Sequence, residues 1–284
     1  MGLLQDRVVL ITGGARGQGR AHAMRSAQEG ADVVLVDITE PVAGTAYRTA
    51  TAEDMDETVA QVEKEGRRAV AVTGDVRSQQ DMDTAAERAV AEFGRIDALV
   101  ANAGIWSLRP LLELDEQTWS DMIDINLSGV FRSVRATIPH MVERGSGSIV
   151  ITSSINGLEP ANEYAHYVSA KHGLIGLMRN VALEGAPHGV RANAVSPGFI
   201  DTPMTDNQRA YDMVGGHEGA TREERNEGAY GFHALRGAGA LPPEDVADVA
   251  VFLNSDLARS VTGTVIPVDA GHMVLPGMNP APVR

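Results

Sequence analysis

The chain contains no cysteine. That excludes disulfides and thiolate chemistry, and it leaves any zinc site to histidine and carboxylate alone. Nor does it contain an apolar run near the roughly eighteen residues of a membrane span. Basic residues are few: 24 Lys and Arg stand against 38 Asp and Glu, for a net charge of −14. A duplex nucleic-acid binder needs a basic stripe, and an anionic membrane surface would repel this chain. The opening stretch, "MGLLQDRVVLITGG", lacks a basic region followed by a long apolar run. Asp6 stands where an N-myristoylation signal wants Ser or Thr. The expectation is a cytoplasmic protein with no nucleic-acid or membrane partner and no bound metal; His217 and Glu218 lack the partners of a metal motif.

What is present is strand–helix alternation. The 284 residues are 43% hydrophobic, enough for a sizeable core. "RVVLIT" (7–12), "DVVLVD" (32–37), "RAVAVTGDV" (68–76), "IDALVANAG" (96–104), "GSIVITSS" (147–154), "VRANAVSPG" (190–198) and "TGTVIPVDAG" (262–271) read as buried strands. Helical periodicity separates them. Thr51 with Asp54 forms a capping-box pattern ahead of Met55, Val59 and Val62. A long helix is predicted over about 118–142 and another from the Tyr167 segment. Helices of ten or more residues between strands imply a parallel sheet covered on both faces. The predicted fold is a single doubly wound α/β Rossmann domain spanning 1–284, with seven parallel strands. Two segments break the alternation, 38–50 and 202–240, and a Pro-rich tail follows at 272–284.

The first strand–helix turn is "TGGARGQG" (12–19). Gly13, Gly17 and Gly19 would let the backbone approach a pyrophosphate, with Arg16 and Gln18 beside it at the helix N-terminus. The spacing Gly-x-x-x-Gly-x-Gly is not the common dinucleotide fingerprint, and glycines of this kind also make plain tight turns. Asp37 ends the second strand about twenty residues on, where an acid would hold a ribose 2′-hydroxyl. Its charge would repel a 2′-phosphate, so NAD is expected over NADP. Arg16 pulls the other way.

"ITSSINGLEPANEYAHYVSAKHG" (151–173) places Tyr167 and Lys171 four residues apart, with Ser154 thirteen upstream. Residues four apart share a helix face. A free tyrosine has a pKa of about 10 and is a poor base at neutral pH. A neighbouring ammonium would favour its phenolate. Taken singly, a Tyr–Lys pair is usually a surface pair and a strand-end Ser a turn former. Tyr164 and Ser153 do not keep the spacing.

Together these motifs resemble the short-chain dehydrogenase/reductase superfamily, in order from Arg7 to Gly271. The match includes "TGGARGQG", Asp75–Val76, "NAG" at 102–104, Asn126, Ser154, "YVSAK" at 167–171 and "SPGFIDT" at 196–202. Ala101 departs from the second Asn that many members carry. The resemblance implies a catalytic set of Asn126, Ser154, Tyr167 and Lys171. Tyr167 would be the base and Ser154 would hold the substrate oxygen. Lys171 would grip the nicotinamide ribose, and Asn126 would position a relay water. It places Asp75 and Val76 at the adenine, and Asn102, Ala103 and Gly104 at the adenosine ribose. Pro197, Gly198, Ile200 and Thr202 would frame the carboxamide. A homotetramer is implied as well, with the last two helices and the strand into "VDAGHMVLPG" burying apolar faces against sister subunits; Val249, Val251 and Leu253 alone do not establish this, because helices also pack within a subunit.

"GARGQGRAHA", "VDI…P", "Y…AT.EDM.ETV" and "VANAGI" resemble the mycofactocin-associated, carveol-dehydrogenase-like branch. That implies an NAD held in place by the 38–50 insertion, with a redox-peptide electron acceptor. Tyr47 and Arg48 are the residues expected to close the insertion, Tyr47 by packing and Arg48 by pairing with a phosphate. The substrate, an apolar secondary alcohol or ketone, would meet Ile105, Trp106, Ile155, Asn156 and Glu163. Over it would lie a 202–240 lid bearing Met204, Tyr211, Met213, Tyr230 and Phe232. Three readings remain at this point: an alcohol dehydrogenase, a carbonyl reductase working in the opposite direction, and a silent dinucleotide sensor or scaffold.

Overall fold

The computed structural model describes residues 2–42 and 44–284; Ala43, inside the expected insertion, and Met1 lie outside the described residues. Seven strands form one parallel sheet. In chain order they are β1 (Val8–Thr12), β2 (Asp32–Asp37), β3 (Ala69–Thr73), β4 (Ala98–Ala101), β5 (Gly147–Thr152), β6 (Val190–Pro197) and β7 (Val265–Val268). Their spatial order is β3-β2-β1-β4-β5-β6-β7. Each strand's side chains alternate between two cores, which is why the runs are apolar throughout. Leu10, Val34, Leu99 and Ile149 face one cluster. It is completed by α3 (Gln79–Phe93), α5 (Gly129–Arg144) and α6 (Ala165–Gly185). Val9, Val33, Leu35 and Val100 face the other, against α1 (Gly17–Gln28), α2 (Ala52–Lys64) and α9 (Pro243–Asn254).

From β1 the chain winds to β2 and β3, then crosses back to β4 on the opposite side of β1. That reversal opens a crevice at the carboxyl ends of β1 and β4, the place where open α/β sheets bind ligands. Strands β3, β4 and β7 end earlier than their apolar runs suggest, because Gly74–Val76, Asn102–Gly104 and Asp269–Gly271 leave the sheet as loops at its carboxyl edge. Thr51 caps α2, and its capping box with Asp54 is complete.

The long helix over about 118–142 is three pieces. They are α4 (Glu116–Ile123), a π-helical turn (Asp124–Ser128) and α5. The π-turn carries Asn126 at its centre, and such insertions into a helix occur mostly at functional sites. The two segments outside the alternation differ from each other. Among the described residues, 38–50 forms no helix or strand. The 202–240 segment folds into α7 (Gln208–Gly215) and α8 (Arg222–Ala229), with a 3₁₀ turn at Tyr230–Phe232. Among the described residues no helix is long and apolar enough to cross a membrane.

Candidate active site

One cavity of about 470 Å³ runs along the carboxyl edge of the sheet, from the glycine turn to the lid. Its first end is built from backbone. Gly13 and Gly17 have positive φ, 68° and 54°, which a side chain rarely tolerates. A Cβ on Gly19 would lie 1.8 Å from the Gly13 carbonyl oxygen. Gly19 does not line the cavity; it lets α1 begin directly behind the turn. No side chain caps the first turn of α1, so its amides and positive dipole end remain available to an anion. Asn102 ties β4 to β1: its Nδ2 donates to Thr12 O (3.2 Å), and its N–H donates to Thr12 Oγ1 (3.1 Å).

Asp37 lines the same end. Its carboxylate accepts from the Ala15 and Ile38 amides at 3.0 and 2.9 Å. Burial nevertheless pushes its pKa up to about 6, outweighing those amides and the Arg16 charge. The Asp75 carboxylate is taken up by Arg77 (2.6 Å), so it is the backbone at Asp75 and the buried Val76 side chain that face an adenine position. Ala103, Gly104, Pro197, Gly198, Ile200 and Thr202 complete the floor.

At the other end stand Ser154, Tyr167 and Lys171. β5 delivers Ser154, and the first two turns of α6 deliver the other two. Lys171 Nζ donates to Thr152 O (2.9 Å) and lies 5.5 Å from the centre of the Tyr167 ring. An ammonium has three donors, so two remain for hydroxyls in the cavity. Burial lowers the Lys171 pKa to about 8, which leaves it charged at neutral pH. Burial raises that of Tyr167 to about 12, and the Ser154 hydroxyl offsets only part of this. The sequence pointed to a phenolate stabilised by Lys171. In the protein alone, desolvation outweighs that stabilisation and Tyr167 holds its proton. Ser154 Oγ accepts from Asn156 N (3.1 Å) and keeps its own hydrogen free to donate.

Asn126 is fully buried and does not line the cavity. Its amide clamps Ile105 at both backbone atoms, accepting from N and donating to O at 2.8 Å each. Its Nδ2 also donates to Met122 Sδ (3.1 Å), so the side chain is held away from the cavity.

Several expected contacts are replaced by others. Glu163 turns away with φ 66°, and its carbonyl accepts from Arg109 N. Tyr211 pairs with Asp206, and Tyr230 packs under Arg284 (5.8 Å); neither lines the cavity. Arg48 does not reach a phosphate position. It forks onto Asp54 at Oδ1 (3.1 Å) and Oδ2 (2.5 Å), because the capping box holds that carboxylate within reach. Val251 and Leu253 are buried within the subunit and offer nothing to an outer face.

Ile105, Trp106, Ile155, Asn156, Met204, Met213 and Phe232 do line the cavity. Among the further lining residues are Tyr164, Glu159 and His272, which no motif singles out. Tyr164 stacks edge-on to Tyr167 (5.8 Å), while Glu159 and His272 meet across the cavity mouth. Tyr164 had only its failed spacing to go by; Glu159 and His272 carry no local motif.

The residues present fit a dinucleotide. Among the described residues, Arg16 Nη1, Gln18 Oε1 and Thr152 Oγ1 are buried without hydrogen-bond partners, and all three residues belong to the cavity wall. Buried polar atoms in native folds normally have partners, so these mark ligand positions. A doubly wound sheet with a glycine turn, a strand-end acid and a Ser–Tyr–Lys set defines a nucleotide-dependent oxidoreductase. Residues 7–212 match the family model described as short chain dehydrogenase, and the chain belongs to that family. It is 44% identical to (-)-trans-carveol dehydrogenase of Rhodococcus erythropolis, over 95% of this chain and 99% of that protein. Carveol dehydrogenase from Mycobacterium avium, solved in complex with NAD, superposes with a TM-score of 0.93 at 40% identity, covering 97% of this chain and 100% of that one. A short chain dehydrogenase from Mycobacterium paratuberculosis bound to NAD gives 0.87 at 36% identity, over 96% and 100%.

Proposed function

We propose that the protein is an NAD-dependent dehydrogenase of apolar cyclic secondary alcohols of the carveol kind. The observation that carries this is the continuity of one cavity from Asp37 and the glycine turn to Ser154, Tyr167 and Lys171. NAD would lie between Arg16, Asp37 and Lys171, and when bound it supplies the hydride acceptor and a positive charge. Asp37 would accept from the adenosine ribose, and Lys171 would donate to the nicotinamide ribose. Ser154 donates to the substrate oxygen. Tyr167 Oη takes the hydroxyl proton as the carbinol carbon gives up hydride. A second cationic charge in the cavity would counter the burial that holds Tyr167 protonated. Trp106, Tyr164, Met204 and Met213 form an apolar wall for the alcohol's ring. A silent sensor would need none of the Ser154–Tyr167–Lys171 arrangement. The same groups also run the reverse reduction.

The insertion favours a retained cofactor. Tyr47 Oη accepts from Trp106 N (3.0 Å), and the Arg16 guanidinium stands 5.9 Å over its ring. The loop thus crosses from the adenosine end to the substrate end. Its resemblance to the mycofactocin-associated branch supports re-oxidation by a redox peptide. A homotetramer fits the exposed apolar side chains of α4 and α5, Trp119 and Phe131, and the free outer edge of β7. Assays across terpene, steroid and aliphatic alcohols, with nucleotide released by denaturing fresh protein, test the reading. Turnover of cyclic secondary alcohols and copurified NAD(H) are expected. No oxidation of any alcohol would overturn it.

A further inference from the structure

The last segment of the chain is fastened to the lid. Asn279 donates through its backbone to Gly231 O (2.7 Å) and through Nδ2 to His233 O (2.9 Å). Gly237 N donates to Val283 O (2.7 Å). Arg284 pairs with Glu227 on α8. His272, at the start of this segment, reaches the opposite bank of the cavity. Its Nε2 is 2.7 Å from Glu159 Oε1, in the loop that follows Ser154. Its Nδ1 is 2.8 Å from Phe232 O in the lid. The imidazole also stacks on Phe232 (5.8 Å), which stacks on Phe199 (5.7 Å).

A carbonyl oxygen only accepts, and so does a carboxylate; a neutral imidazole has a single N–H. To bond both partners, the pair needs one proton beyond the neutral ring. An exposed ion pair of this kind contributes little. Here the histidine side chain is only 12% exposed and the glutamate 32%, and the stack and the Phe232 carbonyl fix the ring's orientation.

We propose that His272 and Glu159 form a proton-dependent latch that positions the substrate lid, with residues 272–284 as its strap. This rests on the reading of 202–240 as a lid over an alcohol. Both are positioning residues: they set the lid and take no part in the chemistry. Besides Glu159, the titratable groups facing His272 are His233 of the lid and Asp269 after β7. His233 is buried, its Nδ1 faces Ala238 O (3.2 Å), and burial keeps its pKa below the usual histidine value. The Asp269 carboxylate holds the Gly271 and Met273 amides (3.0 and 2.9 Å). The latch is therefore closed while the ring is charged. It opens once the imidazolium proton leaves, because the neutral ring has one N–H for two acceptors.

The test is hydrogen–deuterium exchange of residues 228–238 in the full chain, corrected for the intrinsic pH dependence of exchange, without added alcohol. Wild-type protection should fall roughly fivefold between about pH 6 and 8.5. In Glu159→Gln the amide can donate to the unprotonated Nε2, so protection should no longer depend on pH. His272→Phe keeps the stack and should show low protection throughout. The KM for alcohol should rise with pH in the wild type more steeply than in Glu159→Gln, with NAD affinity equal in both. The same pH dependence in wild type and Glu159→Gln, or none in the wild type, overturns the latch. Exchange needs no turnover, so absence of activity alongside the expected exchange pattern would sink the functional reading alone.

Discussion

The two ends of the cavity are built by different means. The cofactor end is backbone: glycines at positive φ, an uncapped helix terminus, and Asn102 stitching β4 to β1. Its parts are close in sequence to the strands that carry them, and the sheet fixes their positions. The substrate end is side chains on segments that lie outside the sheet: α7, α8, the loop after Ser154 and the C-terminal strap. It is held by contacts such as Arg225 to Asp201 (2.9 Å) and His272 to Glu159. A backbone site tolerates little change in geometry, while a side-chain site can be re-cut residue by residue.

The largest effect expected from breaking one end alone is at Tyr167. Tyr167→Phe removes a single oxygen, and turnover should fall by about 10³-fold. NAD binding measured by calorimetry should be unchanged. Near-wild-type turnover would mean the base lies elsewhere.

Asp37 tests the cofactor end. Asp37→Ala should weaken NAD by roughly thirtyfold, since a carboxylate accepting from hydroxyls is among the stronger hydrogen-bond partners, and should narrow the preference over NADP. The pH sign follows from its raised pKa. Burial lets Asp37 keep its proton up to about pH 6, and ribose hydroxyls are best accepted by the ionised form. NAD affinity should therefore hold above pH 6 and fall below it, by at most about tenfold per unit. Titrations from pH 5 to 8 in wild type and Asp37→Ala check this; a wild type whose affinity rises on acidification contradicts it.

Arg225 is where the two ends join. It is fully buried on α8, bonded to Asp201 and Thr205, and lies 4.8 Å over the Phe199 ring. Those partners belong to the loop that frames the Thr202 end of the cofactor site. Arg225→Met should raise the alcohol KM by roughly tenfold, and it should also weaken NAD, by a smaller factor, because the Asp201–Thr205 loop loses the hydrogen bonds of its buried guanidinium partner. If NAD affinity does not move at all, the two ends are independent and the join is elsewhere.

The smallest effect is expected at Tyr47. Tyr47→Phe leaves the Trp106 amide unpaired but keeps the ring under Arg16, so exchange of bound NAD for labelled NAD should quicken about fivefold. Exchange that is free in the wild type would remove the insertion from any role in retention.

The sequence alone determined the seven parallel strands and the glycine turn that follows the first of them. Strand apolarity has a period the core enforces, and a glycine turn acts through local backbone that its own residues specify. The Tyr167–Lys171 pair was legible for the same reason, because one helical turn fixes their spacing. Tertiary structure decided what depends on segments far apart in the chain. Asn126 turned inward because a π-turn aims its amide at the Ile105 backbone. Arg48 went to Asp54 because the α2 cap brought that carboxylate to it. Tyr211 and Tyr230 left the cavity for Asp206 and Arg284, while Tyr164, at the N-cap of α6, packs on Tyr167 inside it. Glu159 and His272 meet across 113 positions of sequence, and nothing local marks either. Their pairing exists only once β5 and β7 lie in one sheet and the strap after β7 has folded back over the lid.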